Sequence, residues 1–228
     1  MKKWLSYLIP CLLVPVVIVL GASLFSDKQY AFVSLCVAVL ACVPFFLRFE
    51  RRTDDTRRLV LVAAMVALAV VGRILCAPLP GFKPVTALVV ITALYFGSEA
   101  GFMTGALSAV ISNFYFGQGP WTPFQMFSWG IIGLLAGLFA RRLRQSRIWL
   151  SAFGVLAGVL YSLLMDIWTV FWTDGYFNLT RYIAAVGSAA WFTAVYAVSN
   201  VIFLMLFAKP IGKILDRISV KYGISAKD

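Results

Sequence analysis

The side chains with chemistry to offer are Arg73, Lys83, Asn113, Gln118, Gln125 and Asp166, joined by the indoles of Trp121, Trp129 and Trp172. Cations, carboxamides, a carboxylate and large aromatic faces suit hydrogen bonding and stacking on a small amphipathic ligand. They do not form a bond-making constellation. The sequence has no histidine, which removes histidine-based triads and the zinc-protease helix motif. No GxxxxGK[ST] run occurs, so the chain has no P-loop with which to bind ATP. The acidic pair Asp54-Asp55 lies in an arginine-rich stretch and reads as solvated linker. Cys11, Cys36, Cys42 and Cys76 sit in or beside apolar runs without metal-ligand spacing, and read as small buried hydrophobes. No metal site and no cofactor bound by this chain is expected.

The elements that must position these residues are membrane helices. The chain has 228 residues, of which 62% are hydrophobic and only 13% charged. A soluble domain of this length could not hide that much apolar surface in one core. A net charge of +11 would suit nucleic acid, but the basic residues stand at the ends of apolar runs with no aromatics interleaved. That is the pattern of cytoplasmic anchoring, and no nucleic-acid partner is expected. Taking about 20 apolar residues per crossing, spans fall at about 4–25, 30–48, 59–77, 84–97, 101–116, 122–140, 149–172 and 182–208. Met1-Lys2-Lys3 opens like a signal peptide, yet its apolar run lacks a small-x-small cleavage site and a second span follows at once. A retained hairpin is therefore expected.

With the N-terminus inside, only Lys28, Arg73, Lys83 and Arg181 of the 20 basic residues fall outside. Both termini are thus expected in the cytoplasm of a bacterial inner-membrane protein. The run RFERRTDDTRR at 48–58 is a charged linker. The chain divides into a transmembrane hairpin (1–48), the linker (49–58), a six-helix core (59–208) and a basic cytoplasmic tail (209–228).

This orientation puts Arg73, Lys83, Asn113, Gln118, Gln125, Asp166, Asp174 and Asn178 in the outer half, level with Trp121, Trp129, Trp168, Trp172 and Tyr176. Polar groups at membrane depth usually face a bundle interior or a watery cavity. Their agreement in depth points to a ligand cavity open to the outside. Plainer readings stand beside it: an aromatic belt for Trp121, Trp172 and Tyr176, snorkelling for Arg73 and Lys83, and interhelical hydrogen bonding for Asn113 and Gln125. Asp166 lies more than a turn inside its span and is expected either to pair, with Arg73 the best partner, or to contact ligand. Residues 80–125, with short spans broken by Gly and Pro, are the expected functional region. Gly101/Gly105, Gly133/Gly137 and Gly154/Gly158 are small-xxx-small pairs for close helix packing.

The stretch GFKPVTALVVITALYFGSEAGFMTGALSAVISNFYFGQGPWTPFQMFSWGIIGLLAG resembles the S-components of energy-coupling-factor transporters, most specifically in SNFYFGQGPWTPFQMFSWG. The likeness covers about residues 57–210; the N-terminal hairpin departs from the usual six-helix form. It implies an all-α integral membrane protein that captures a vitamin from outside. It further implies docking on a transmembrane coupling protein that carries two cytoplasmic ATPase subunits, with ATP bound only there. The docking strip of the family maps onto Ala63 and Ala67. GQGPWTPFQMFSWG looks closest to the cobalamin or corrinoid-precursor branch, with riboflavin and queuosine-type relatives as alternatives. Two other classes compete. A secondary transporter would want an inverted repeat and a charged relay, and an intramembrane enzyme would want acidic metal-binding or paired catalytic residues.

Overall fold

The computed structural model describes residues 56–119 and 121–222. The expected hairpin (1–48) and residues 49–55 of the expected linker lie outside the described residues, and 56–58 already belong to the first helix. Within them the chain is all helix: α1 (Thr56–Leu75), α2 (Val85–Phe116), α3 (Thr122–Leu138), α4 (Ala140–Gln145), α5 (Arg147–Asp174) and α6 (Leu179–Tyr222). In hydrocarbon every backbone N–H and C=O must find its partner within the chain, and helices do this segment by segment. Four of these helices, α1, α2, α5 and α6, are long and apolar enough to cross a membrane, and α3 is a shorter apolar helix. The protein is an all-α membrane protein, as its composition requires.

α2 is two helices in one. Gly97, at φ 85° and ψ 175°, interrupts it with a backbone conformation that side chains with a Cβ rarely adopt. The contacts on either side show that the chain turns back there. Pro84 packs against Gly72 near the end of α1, where a Cβ on Gly72 would lie 2.5 Å from the proline ring. The Phe96 carbonyl accepts from Arg58 at the start of α1, and Asn113 then returns to the level of Arg73. The expected spans 84–97 and 101–116 are therefore the two arms of α2. This V forms the centre of the bundle, and 83% of its most apolar window is buried.

α3 lies along the returning arm of α2, and glycines set the distance. A Cβ on Gly133 would stand 2.3 Å from the Gly101 carbonyl, one on Gly105 would stand 2.4 Å from the Trp129 carbonyl, and one on Gly137 would meet Ser98 Cα at 2.4 Å. The small-residue pairs of α2 and α3 thus face each other. Gly154 and Gly158 of α5 do the same against α6, opposite Leu204, Val201 and Ala197. Lipid gives helices no hydrophobic reason to associate, so this backbone-close packing is a main source of cohesion.

α1 is buried on one side only. Val62, Met65, Val66, Ala69 and Arg73 face the bundle, while Val60, Ala63, Ala64, Ala67, Leu68 and Val71 face outward. The expected span 122–140 breaks at Phe139, which separates α3 from the short basic α4. The last expected span, 182–208, is longer than foreseen: α6 continues through Pro210 to Tyr222. Most of the expected tail is therefore helical. Proline fits awkwardly inside a helix and charge accumulates after Ala208, which is why the sequence reads as ending there.

Candidate functional site

At the end of the bundle where α1 stops, one polar cluster gathers side chains from α1, α2, α3 and α5. Arg73 is 4% exposed. Its Nη1 donates to Ser112 Oγ and, at 2.9 Å, to Asn113 Oδ1. Asn113 passes the network on, its Nδ2 donating to Thr122 Oγ1 at 2.9 Å and to Gln125 Oε1 at 2.8 Å. Gln125 Nε2 in turn donates to the Tyr161 hydroxyl at 3.3 Å. A carboxamide accepts and donates at once, so two of them in series carry the network from the α1 cation to the α5 phenol.

Aromatic rings wall this network. Trp129 and Tyr161 stack at 5.2 Å and 18°, and Tyr196 of α6 meets Tyr161 edge-on at 5.2 Å. The Arg73 guanidinium lies 4.5 Å from the Phe116 ring centroid and 5.1 Å from that of Trp129. Cation–π contact and hydrogen bonds hold a buried charge that has no carboxylate partner among the described residues. Its Nε has no hydrogen-bond partner, so Arg73 still has a donor to give.

Lys83 reaches the same region from the loop between α1 and α2, its Nζ 5.9 Å from the Tyr196 ring centroid. The loop is pinned there because the Lys83 N–H donates to Ser199 Oγ at 2.9 Å and Ser199 returns its hydroxyl to the Lys83 carbonyl at 3.2 Å. Burial, with the Arg73 charge adding to it, pushes the Lys83 amine down to about 8.

Of the residues singled out from sequence, Arg73, Asn113, Gln125 and Trp129 form the cluster and Lys83 borders it. Gln118 lies on its rim: its Nε2 donates to the Val110 carbonyl at 2.8 Å and its Oε1 accepts from Thr122 at 3.0 Å. These bonds tie the loop after Gly117 down to the helix ends. Trp121 is partly exposed and folds over Gly119, where a Cβ would meet its ring at 2.3 Å. Trp172 is exposed and leans on Trp168 at 5.2 Å, and Trp168 in turn leans on Phe124. Neither of these two indoles enters the buried cluster.

Asp166 is buried, and its Oδ2 has no hydrogen-bond partner. The expected pairing with Arg73 does not form: Arg73 turns to Ser112 and Asn113 of α2, while Asp166 lies near Tyr182 of α6. Asp174 and Asn178 have structural work: Asp174 pairs with Arg181 at 2.6 Å, and Asn178 Oδ1 accepts the Arg181 N–H at the start of α6. Ser112, Thr122, Tyr161 and Tyr196 belong to the cluster and escape a sequence reading. Tyr161 and Tyr196 lie inside long apolar helices, where a tyrosine has no signal to separate it from the core. Ser112 and Thr122 adjoin singled-out residues and are found only through their bonds.

A helical bundle with four membrane-length apolar helices and a walled polar cluster at one end defines a polytopic α-helical membrane protein. The family model described as ECF-type riboflavin transporter, S component, matches residues 53–217. The chain belongs to this family of energy-coupling-factor S components. Such proteins are transport subunits rather than enzymes; they bind a vitamin and work with a coupling protein and ATPases. The match leaves the cobalamin branch unconfirmed. Among curated proteins and solved structures, nothing matches the chain.

Proposed function

We propose that the chain captures a vitamin with a planar heteroaromatic ring from the outer face of the membrane and presents it for ATP-driven uptake. The observation that carries this reading is the convergence of Arg73, Asn113, Gln125 and Tyr161 beside the stacked Trp129. An imide- or amide-bearing ring needs a flat aromatic surface and carboxamides at its edge, and this cluster offers both. Riboflavin has that chemistry, and the name of the matched family supports it. Asn113 and Gln125 would exchange each other for the ring's polar edge, Arg73 would give its free Nε–H, and Asp166 and Lys83 would meet the polar tail. The loop 117–121, anchored by Gln118, would close over the ligand, with Trp121 as its cover.

A corrinoid is the second reading, favoured by the likeness of GQGPWTPFQMFSWG to the cobalamin branch. Energy would come from a coupling protein and two ATPases, docked on the exposed strip that carries Ala63 and Ala67. Calorimetry on the purified chain with riboflavin, cobalamin, cobinamide and queuine tests the substrate. Saturable binding of riboflavin, lost in Asn113→Leu, is the expected result. Binding of cobalamin or cobinamide alone would replace the planar-ring reading, and binding of none would remove both.

A further inference from the structure

At the end of the bundle opposite the polar cluster, the kink of α2, α4, the start of α5 and the later turns of α6 enclose a cavity of about 520 Å³. Its walls are of two kinds. Leu94, Leu150, Leu204 and Met205 form an apolar floor, and Arg144, Arg147, Lys209 and Lys213 stand around it with Asp216 as a carboxylate. The cations come from three elements, and the fold joins the basic stretch 141–147 to Lys209 and Lys213 of α6.

Their state differs. Arg144 is occupied, pairing with Asp216 at 3.1 Å and lying 4.4 Å from the Tyr95 ring centroid. Tyr95 is itself fitted against α6, where a Cβ on Gly212 would stand 2.1 Å from its hydroxyl. Arg147, Lys209 and Lys213 have no ion pair or side-chain hydrogen bond among the described residues. Three uncompensated cations thus share a cavity whose other half is hydrocarbon-like.

The cavity sits where α5 passes from Arg147 into its apolar run and where α6 leaves its own after Ala208. That places it at the level of lipid headgroups. A free phosphate would satisfy the cations and leave the apolar floor unmatched. A phospholipid would satisfy the cations with its phosphate at the rim and rest the start of its acyl chains on the partly exposed Met205 and Ala208. We propose that this cavity binds the phosphate of an anionic membrane lipid, independently of what the outer cluster captures.

The test uses the full chain in nanodiscs of equal phosphatidylglycerol and phosphatidylcholine, followed by native mass spectrometry of the released protein. Wild type is expected to retain phosphatidylglycerol over phosphatidylcholine. K209Q/K213Q is expected to lose that retention by about tenfold or more, since it removes two of the three unpaired cations lining the cavity. R141Q/R142Q removes the same charge from exposed α4 positions outside the cavity and should behave as wild type. Arg147→Gln is a second, single-site probe, and an unchanged circular dichroism spectrum shows that each variant keeps its helices. Equal loss in both double variants would reduce the effect to general basic character and overturn the proposal. So would the absence of any phosphatidylglycerol preference in wild type, or displacement of the lipid by millimolar inorganic phosphate.

Discussion

A carboxamide can accept from a cation and donate twice, and Asn113 does all of this while 1% exposed. Asn113→Leu keeps a similar volume but removes one bond each from Arg73, Thr122 and Gln125; Arg73 and Thr122 keep Ser112 and Gln118, while Gln125 Oε1 loses its donor. Losing a partner of a buried charged group costs about 1.5–3 kcal/mol, so a clear fall in thermal unfolding temperature in detergent is expected. Gln118→Ala breaks bonds at the exposed rim and should cost under about 1 kcal/mol by the same measure. An equal effect of the two changes would mean that the network is not the stabilising feature it looks to be. Lys83 gives a pH signature. Its amine ordinarily titrates at 10.5 and is brought down to about 8 by burial and by Arg73. The unfolded chain therefore binds more protons than the folded one between about 8 and 10.5, and this contribution to stability rises with pH across that window and is lost as pH falls through 8. Melting curves between pH 7 and 10.5 should show that rise in wild type relative to Lys83→Met. Parallel profiles would place the amine in solvent.

At the scale of elements, the cohesion of α2 with α3 rests on missing side chains. Gly133→Leu would drive Cβ into the Gly101 carbonyl, a backbone atom that cannot swing aside. Overpacking costs typically about 1–3 kcal/mol even where side chains can move, so loss of folded protein on size-exclusion chromatography is expected. Gly187→Ala, with nothing within 4 Å of the new Cβ, should be neutral or slightly stabilising. If Gly133→Leu ran as a normal monodisperse peak, α2 and α3 could not be packed as closely as this. These contacts also show what the sequence could reveal. Lipid forces spans, so the described helices and a break between 97 and 101 are readable from apolar run length, and the structure narrows that break to Gly97. The shared level of Arg73, Asn113 and Gln125 along the bundle is readable too, and the structure brings the three into one hydrogen-bonded network. The face of each helix is not readable. α2 is apolar nearly all round, so no stripe tells which side meets α1, and Asp166 was matched to Arg73 by level alone. Tyr161 and Tyr196 were missed for the same reason.

At the scale of the whole molecule, a capture subunit must do two things with separate surfaces: hold its ligand inside and meet its partner outside. On the proposed reading, α1 would divide these tasks along one helix. Its inner face ends in Arg73 at the cluster, and its outer face runs Val60, Ala63, Ala64, Ala67, Leu68 and Val71, with alanines at the middle. A strip of small residues lets another helix backbone come close, and a leucine there holds it off by the length of a side chain. Because the strip faces away from Met65, Val66 and Ala69, filling it leaves the bundle and the cluster intact. Ala63→Leu and Ala67→Leu are therefore expected to bind the vitamin with unchanged affinity by calorimetry while uptake into cells carrying the coupling protein and ATPases falls to background. Uptake at the wild-type rate would put the docking surface elsewhere on the molecule. Loss of binding together with uptake would show that the two faces of α1 are coupled through the helix, and that capture and docking are not separable as proposed.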